Sequence, residues 1–180
     1  TGIKPNLGDW RNGSPDWDEV IQTFPRGELR DYLALLSEEG VTIAVKPQYI
    51  DRLPKIFEGE VRELLERVDD RGEIVQYSES LGIEHILSRK LGSLSGGELQ
   101  RVALCATLLK EADVYFFDEP SSYLDIYERM RMVGIIQDLS SEGKRVLVVE
   151  HDLAVLDVLC DLLHVVYGER AGYGIFTPPR

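Results

Sequence analysis

The 180 residues suffice for one compact domain with a real core, carrying a small subdomain. At 43% hydrophobic and 29% charged the composition is that of an ordinary soluble globular chain, and no apolar run approaches the roughly 18 residues of a membrane span. Thirty-two acidic against 20 basic residues leave a formal charge of −12, which opposes non-specific nucleic-acid binding. DNA is therefore not an expected partner, and any RNA contact has to be local and shape-directed.

Thr1-Gly2-Ile3-Lys4-Pro5 shows neither a charged n-region nor an apolar h-region, so a cytoplasmic address is the default. Residues 1–13 read as a loop. Ser14-Pro15 has the pattern of an N-cap with proline at the first helical position, opening a helix to about Thr23. Pro25-Arg26-Gly27 breaks it, and a second helix from Glu28 to Ser37 puts Leu29, Tyr32, Leu33 and Leu36 on one face. Val41 to Val45 is a β-branched run that predicts a strand ended by Lys46-Pro47. Residues 59–91 read as three helical segments: 61–68, 73–82 closed by Gly82, and 83–90. No heptads are sustained there, so no long coiled coil leaves the domain.

The second half alternates helix and strand. Leu99 to Lys110 predicts an amphipathic helix, Val114 to Phe117 a buried strand, Asp125 to Ser141 a helix stopped near Gly143. Val146 to Val149 is another strand, followed by a helix from Leu153 to about Cys160; 163–167 and 173–177 make the last strands. Apolar strands separated by helices point to an α/β fold with a mostly parallel, two-sided sheet. Cys105 and Cys160 sit in apolar helical stretches and read as small buried hydrophobes. Two thiols cannot supply the four ligands of an iron–sulfur cluster.

Chemistry concentrates at four places. In Leu94-Ser95-Gly96-Gly97-Glu98-Leu99-Gln100, Ser95 and Glu98 have capping-box spacing, and the glycines fall in a first helical turn whose amides lack intrahelical partners. Bare backbone there lets an anion meet the positive helix end. Val114 to Phe117 runs into Asp118-Glu119-Pro120, placing two carboxylates at the sheet's carboxyl edge, where α/β folds bind ligands. Asp118 suits magnesium and Glu119 the polarising of an attacking water. His151, after the strand 146–149, lies on the same edge and suits a γ-phosphate or the lytic water. Gln48 offers a neutral oxygen to magnesium or water. Asp125 either helps carry the chain across a partner surface or simply caps the next helix. His85 and His164 have no comparable setting and read as structural.

In this order the elements resemble the ATP-binding cassette family, a P-loop NTPase fold with a helical subdomain. The resemblance makes Gln48 the Q-loop glutamine, a ligand to magnesium and water, and Ser95, Gly96, Gly97 and Glu98 the signature motif. It makes Asp118 the Walker B metal acid, Glu119 the catalytic base, Asp125 the D-loop aspartate and His151 the switch histidine. Lys4-Pro5-Asn6-Leu7-Gly8, Lys46-Pro47-Gln48-Tyr49, LSGGELQR, FFDEPSSYLD, VVEHDLAVLD and VVYGERAGYGIF extend it over the whole chain. Within the family they are similar to the first nucleotide-binding domain of the ribosome-recycling ABC ATPases, the RNase L inhibitor family or ABC subfamily E.

That resemblance implies ATP and Mg2+ as cofactors and a second nucleotide-binding domain of the same protein as partner. The small ribosomal subunit would meet the helix–loop–helix insertion of 14–37. It also implies a helical subdomain over 49–110 and catalytic core strands and helices over 111–180. No G-x-x-x-x-G-K-[ST] loop occurs in the chain. The expectation is a fragment of a longer protein, with phosphate loop, amino-terminal iron–sulfur domain and second cassette outside it. Such a fragment is expected to be inactive alone, to expose apolar surface and to self-associate. Three rivals are a transporter's ATP-binding subunit, a non-catalytic interaction module, and a chromosome-type ATPase head. The last calls for long heptads between Gln48 and Ser95, which are absent.

Overall fold

The structure, a computed structural model, describes residues 16–169 and 173–179, apart from the side chains at positions 28, 29, 32, 35, 36 and 39. Two helices come first, α1 (Trp17–Thr23) and α2 (Glu28–Glu39), packed on each other. The described helix is capped by Asp16, not Ser14. Asp16 accepts from the Trp17 amide at 2.8 Å while Glu19 takes the Asp16 amide at 3.3 Å, a reciprocal cap that the Asp-x-x-Glu spacing sets. Ser14, Pro15 and the predicted loop of 1–13 lie outside the described residues. Val20 and Leu33 are the apolar anchors of this pair.

Strand β1 (Ile43–Lys46) starts later than its apolar run and includes Lys46. Thr42 is instead drawn off by Asp113, which accepts from its amide at 2.9 Å and its hydroxyl at 2.7 Å. A 3-10 turn and the single-turn helix α3 (Leu53–Ile56) lead to α4 (Val61–Val68) and α5 (Ile74–Leu81). Gly82 closes α5 at φ +63°, a conformation in which glycine carries no Cβ penalty. The third helix predicted for 83–90 is absent. A 3-10 turn, Glu84–Ile86, stands there, and a second, Leu91–Ser93, follows it. The carbonyls of Leu87 and Arg89 accept from the first-turn amides of α4, Arg62 and Val61, at 2.9 and 3.0 Å, so they are not available for a helix of their own.

Helix α6 (Gly96–Leu108), strand β2 (Val114–Asp118), helix α7 (Ile126–Ser141), strand β3 (Arg145–Val149) and helix α8 (Leu153–Leu159) follow. The three strands form a parallel sheet in the order β1-β2-β3, with Lys46 opposite Phe117 and Asp118 opposite Val149. Their carboxyl ends thus share one edge. Ala44, Tyr115 and Phe117 are buried on the face covered by helices, and Leu65, Leu81, Val102, Leu104 and Met132 complete the same core. Across the sheet, Ile43, Val45, Leu147 and Val149 are exposed among the described residues, so cover exists on one face and not on two.

The last strands, β4 (Val166–Glu169) and β5 (Tyr173–Phe176), pair antiparallel with each other and not with the sheet. So short a connection permits a hairpin but no parallel crossover. Cys105 is buried as expected. Cys160 is exposed, because α8 ends at Leu159 and leaves it as the C-cap, its thiol against the Leu156 carbonyl.

Candidate functional site

Three chain segments deliver the site from the carboxyl edge of the sheet: the turn after β1, the turn after β2 and the turn after β3. The amide of Glu119 donates to the Val149 carbonyl at 2.8 Å, continuing the β2–β3 ladder one residue past the strand. There the backbone turns sharply. Glu119 has φ +47° and Tyr123 φ +65°, left-handed conformations that cost non-glycine residues about 1–3 kcal/mol each. Pro120 follows and ends the strand.

The turn brings Glu119 to its partners. Gln48 Nε2 donates to Glu119 Oε1 at 2.8 Å, and the Ser122 hydroxyl donates to Oε2 at 3.3 Å. Nδ1 of His151 lies 4.0 Å from Glu119 Oε1, with the imidazole 76% exposed. Gln48, Glu119 and His151 line one cleft of about 360 Å³ together with Tyr49, Ser121, Ser122, Tyr123, Arg129 and Asp152. Asp118 departs from them. Strand alternation turns its side chain to the open face with Val114 and Phe116, at the rim and outside this cleft.

The next residue to His151 organises the histidine turn. The Glu150 side chain is 0% exposed and takes amide hydrogens from Ser121 at 3.2 Å, His151 at 2.9 Å and Asp152 at 3.2 Å. Burial pushes its pKa up, but the hydrogen bonds from Ser121, His151 and Asp152 outweigh it, and the carboxyl is held below the ordinary range. Arg129 joins this turn to the Asp125 loop by pairing with Asp152 and donating to the Leu124 carbonyl at 2.9 Å.

Beneath the cleft lies Lys46, 0% exposed at the end of β1. Its Nζ donates to the carbonyls of Asp118 at 2.8 Å and Glu119 at 3.1 Å. Burial lowers its pKa to about 8, against the opposing pull of the Asp118, Glu119 and Glu150 carboxylates. Gln100, 0% exposed on α6, donates from Nε2 to the carbonyls of Glu119 at 3.0 Å and Pro120 at 2.8 Å. Both lie inside strings that carry the family resemblance, Lys46-Pro47-Gln48-Tyr49 and LSGGELQR, but the sequence assigned neither a role. The available signals were a lysine ending a buried strand and a glutamine among core positions of an amphipathic helix.

The Ser95–Glu98 turn starts α6 as a full capping box. Ser95 Oγ accepts from the Glu98 amide at 3.3 Å, and Glu98 Oε2 accepts from the Ser95 amide at 2.7 Å and hydroxyl at 2.8 Å. Those two Ser95 bonds, with the Arg89 guanidinium, hold the Glu98 pKa down. Gly96 is exposed and Gly97 half-buried. A Cβ on Gly96 would lie 3.1 Å from the Tyr123 ring, and one on Gly97 3.0 Å from the Tyr123 carbonyl oxygen. The glycines therefore also make room for the strained Tyr123. Asp125 caps α7, its Oδ1 accepting from the Glu128 amide at 2.9 Å, and Arg101 of α6 pairs with Glu128. Of the two unassigned histidines, His85 is exposed in a 3-10 turn, and His164 Nδ1 meets the Thr177 carbonyl at 2.9 Å.

The donors at this edge are hard oxygens: the Asp118 and Glu119 carboxylates and the Gln48 amide, whose N–H is spent on Glu119. Among the described residues no group of three or more His, Cys, Asp or Glu side chains could hold a metal ion. Asp118 at the rim and the Gln48 oxygen in the cleft are donors of the kind magnesium takes, an ion that keeps several waters and draws its remaining ligands from substrate phosphates.

Residues 21–122, more than half of the chain, match the ABC transporter family. The chain belongs to the ABC family. Membership carries ATP and magnesium binding in general, and the parallel sheet flanked by helices is that of an ABC nucleotide-binding domain. The chain is 46% identical, over 98% of its length and 28% of the relative, to an ABC transporter ATP-binding protein of Methanocaldococcus jannaschii. It is 41% identical, over 98% of its length and 30% of the relative, to translation initiation factor RLI1 of Saccharomyces cerevisiae. Among solved structures it matches ribosome-bound archaeal Pelota and ABCE1 with TM-score 0.87 and 52% identity, over 99% of this chain and 30% of that one. The chain thus spans under a third of the length of these relatives. Among the described residues no helix is long and apolar enough to cross a membrane.

Proposed function

We propose that this ABC domain hydrolyses ATP within a longer cytoplasmic protein that splits and recycles ribosomes. The observation that carries the catalytic part is the Glu119 carboxylate, held by Gln48 at 2.8 Å and 4.0 Å from His151 at the carboxyl edge of a parallel sheet. Glu119 acts as the general base toward the attacking water. Gln48 orients that carboxylate, and His151 supplies a hydrogen bond to the terminal phosphate or the water. Asp118 and the Gln48 oxygen would hold magnesium, which offsets charge on the phosphates when bound. The amides after Ser95 would face ATP held by a second cassette, with Asp125 at that junction. The ribosomal part is supported by relatives named as a ribosome-bound ABCE1 and a translation initiation factor. The α1–α2 pair is the element proposed to touch the small subunit, and residues 49–110 form the helical subdomain.

The test uses the gene product that carries this chain. It is expected to hydrolyse ATP and to shift ribosomes to free subunits on sucrose gradients in an ATP-dependent manner. The 180-residue chain alone is expected to give no calorimetric signal with magnesium–ATP and no turnover, for want of a phosphate loop. Tight binding by the isolated chain, or intact ribosomes with the active protein, overturns the corresponding part.

A further inference from the structure

Two buried polar side chains from different elements meet on one carbonyl. Lys46 Nζ, from the end of β1, and Gln100 Nε2, from α6, reach the Glu119 carbonyl at 3.1 and 3.0 Å. Each also takes a neighbouring carbonyl, Lys46 that of Asp118 at 2.8 Å and Gln100 that of Pro120 at 2.8 Å. Three successive carbonyls are thus held from below, at the residue whose backbone is left-handed at φ +47°. Burying a lysine and a glutamine completely is costly unless they satisfy groups that nothing else can. Here those groups are carbonyls that leave the β2 ladder as the chain turns. The Gln100 Oε1 atom is itself buried without a partner, so packing alone does not account for the residue.

We propose that Lys46 and Gln100 are positioning residues that clamp the main chain of Glu119 and thereby aim its carboxylate at Gln48 and the cleft. The inference rests on the reading of Glu119 as the base. Neither residue lines the cleft that holds Gln48, Glu119 and His151. Their contribution is to orientation, where a misplacement of about 1 Å can cost 100-fold. The clamp also ties α6 to the base of the same chain: any shift of α6 pulls the Glu119 carbonyl through Gln100.

The test is steady-state ATP turnover by the full gene product, with Glu119→Gln setting the floor. Lys46→Met and Gln100→Leu keep side-chain volume and remove the donors. Each is expected to lower the Glu119-dependent kcat by about 10-fold or more with KM for ATP within about two-fold of wild type. Because both act on one carbonyl, the double variant is expected to lose less than the product of the single losses. A merely structural role would instead lower the yield of folded protein and leave kcat per folded molecule unchanged. Should Lys46→Met not fold, Gln100→Leu, which alters no charge, carries the same comparison. Wild-type kcat in the folded variants overturns the clamp. A wild-type protein that shows no Glu119-dependent turnover overturns the reading of the base, and the clamp with it.

Discussion

The two faces of the parallel sheet come from the same three strands and end differently. On one, Ala44, Tyr115 and Phe117 are buried beneath helices; on the other, Ile43, Val45, Leu147 and Val149 stand exposed. The rim of the candidate site draws its order from the packed side. Gln100 comes from the α6 that covers that face, and Lys46 points from β1 to the same side as Ala44. Asp118 belongs to the open side. Strands that are apolar throughout thus do not by themselves decide how many faces are covered; the helices brought against them do.

The comparison is easiest to break at Phe117. Phe117→Ala removes a ring with no exposed surface and is expected to cost about 3–5 kcal/mol, whereas Leu147→Ala on the open face should stay within about 0.5 kcal/mol. Urea midpoints at constant slope read both, and equal losses would contradict the contrast. The open face itself sharpens it. Contiguous exposed apolar surface is expected to give concentration-dependent association of the 180-residue chain in light scattering, relieved by Leu147→Lys with Val45→Lys. A monomeric profile at all concentrations would contradict that.

Smaller effects probe the turns. Asp125→Ala removes the Oδ1 that accepts from the Glu128 amide at 2.9 Å and is expected to lower stability by about 1 kcal/mol. In the acid range the buried carboxylate of Glu150 has its folded pKa held below the ordinary carboxyl range by donors that outweigh burial. Its contribution is complete above the unfolded value and lost as pH falls through the lowered one. Replacing it by Gln should flatten the acid limb of the stability profile; an unchanged limb would show that other carboxylates govern it.

Much of this was legible in residue order. Ser95-x-x-Glu98 predicted its capping box, Gly82 its helix end, and the apolar runs before Asp118 and His151 predicted strands meeting at one edge. Local rules failed where distant groups intervened. Residues 83–90 have helical spacing, but the first turn of α4 uses their carbonyls. Thr42 was lost from β1 to Asp113, 71 positions away. Lys46 and Gln100 lie within the strings Lys46-Pro47-Gln48-Tyr49 and LSGGELQR, but their roles were not legible there for the same reason: their partners are main-chain carbonyls that only the folded edge exposes.

The role of Glu119 is the claim most directly open to measurement. Rapid-quench hydrolysis in a single turnover, with the full gene product and its Glu119→Gln variant, separates binding from chemistry. ATP is expected still to bind, and the phase belonging to this domain to slow about 100-fold or more. Hydrolysis by the variant at the wild-type rate would contradict it.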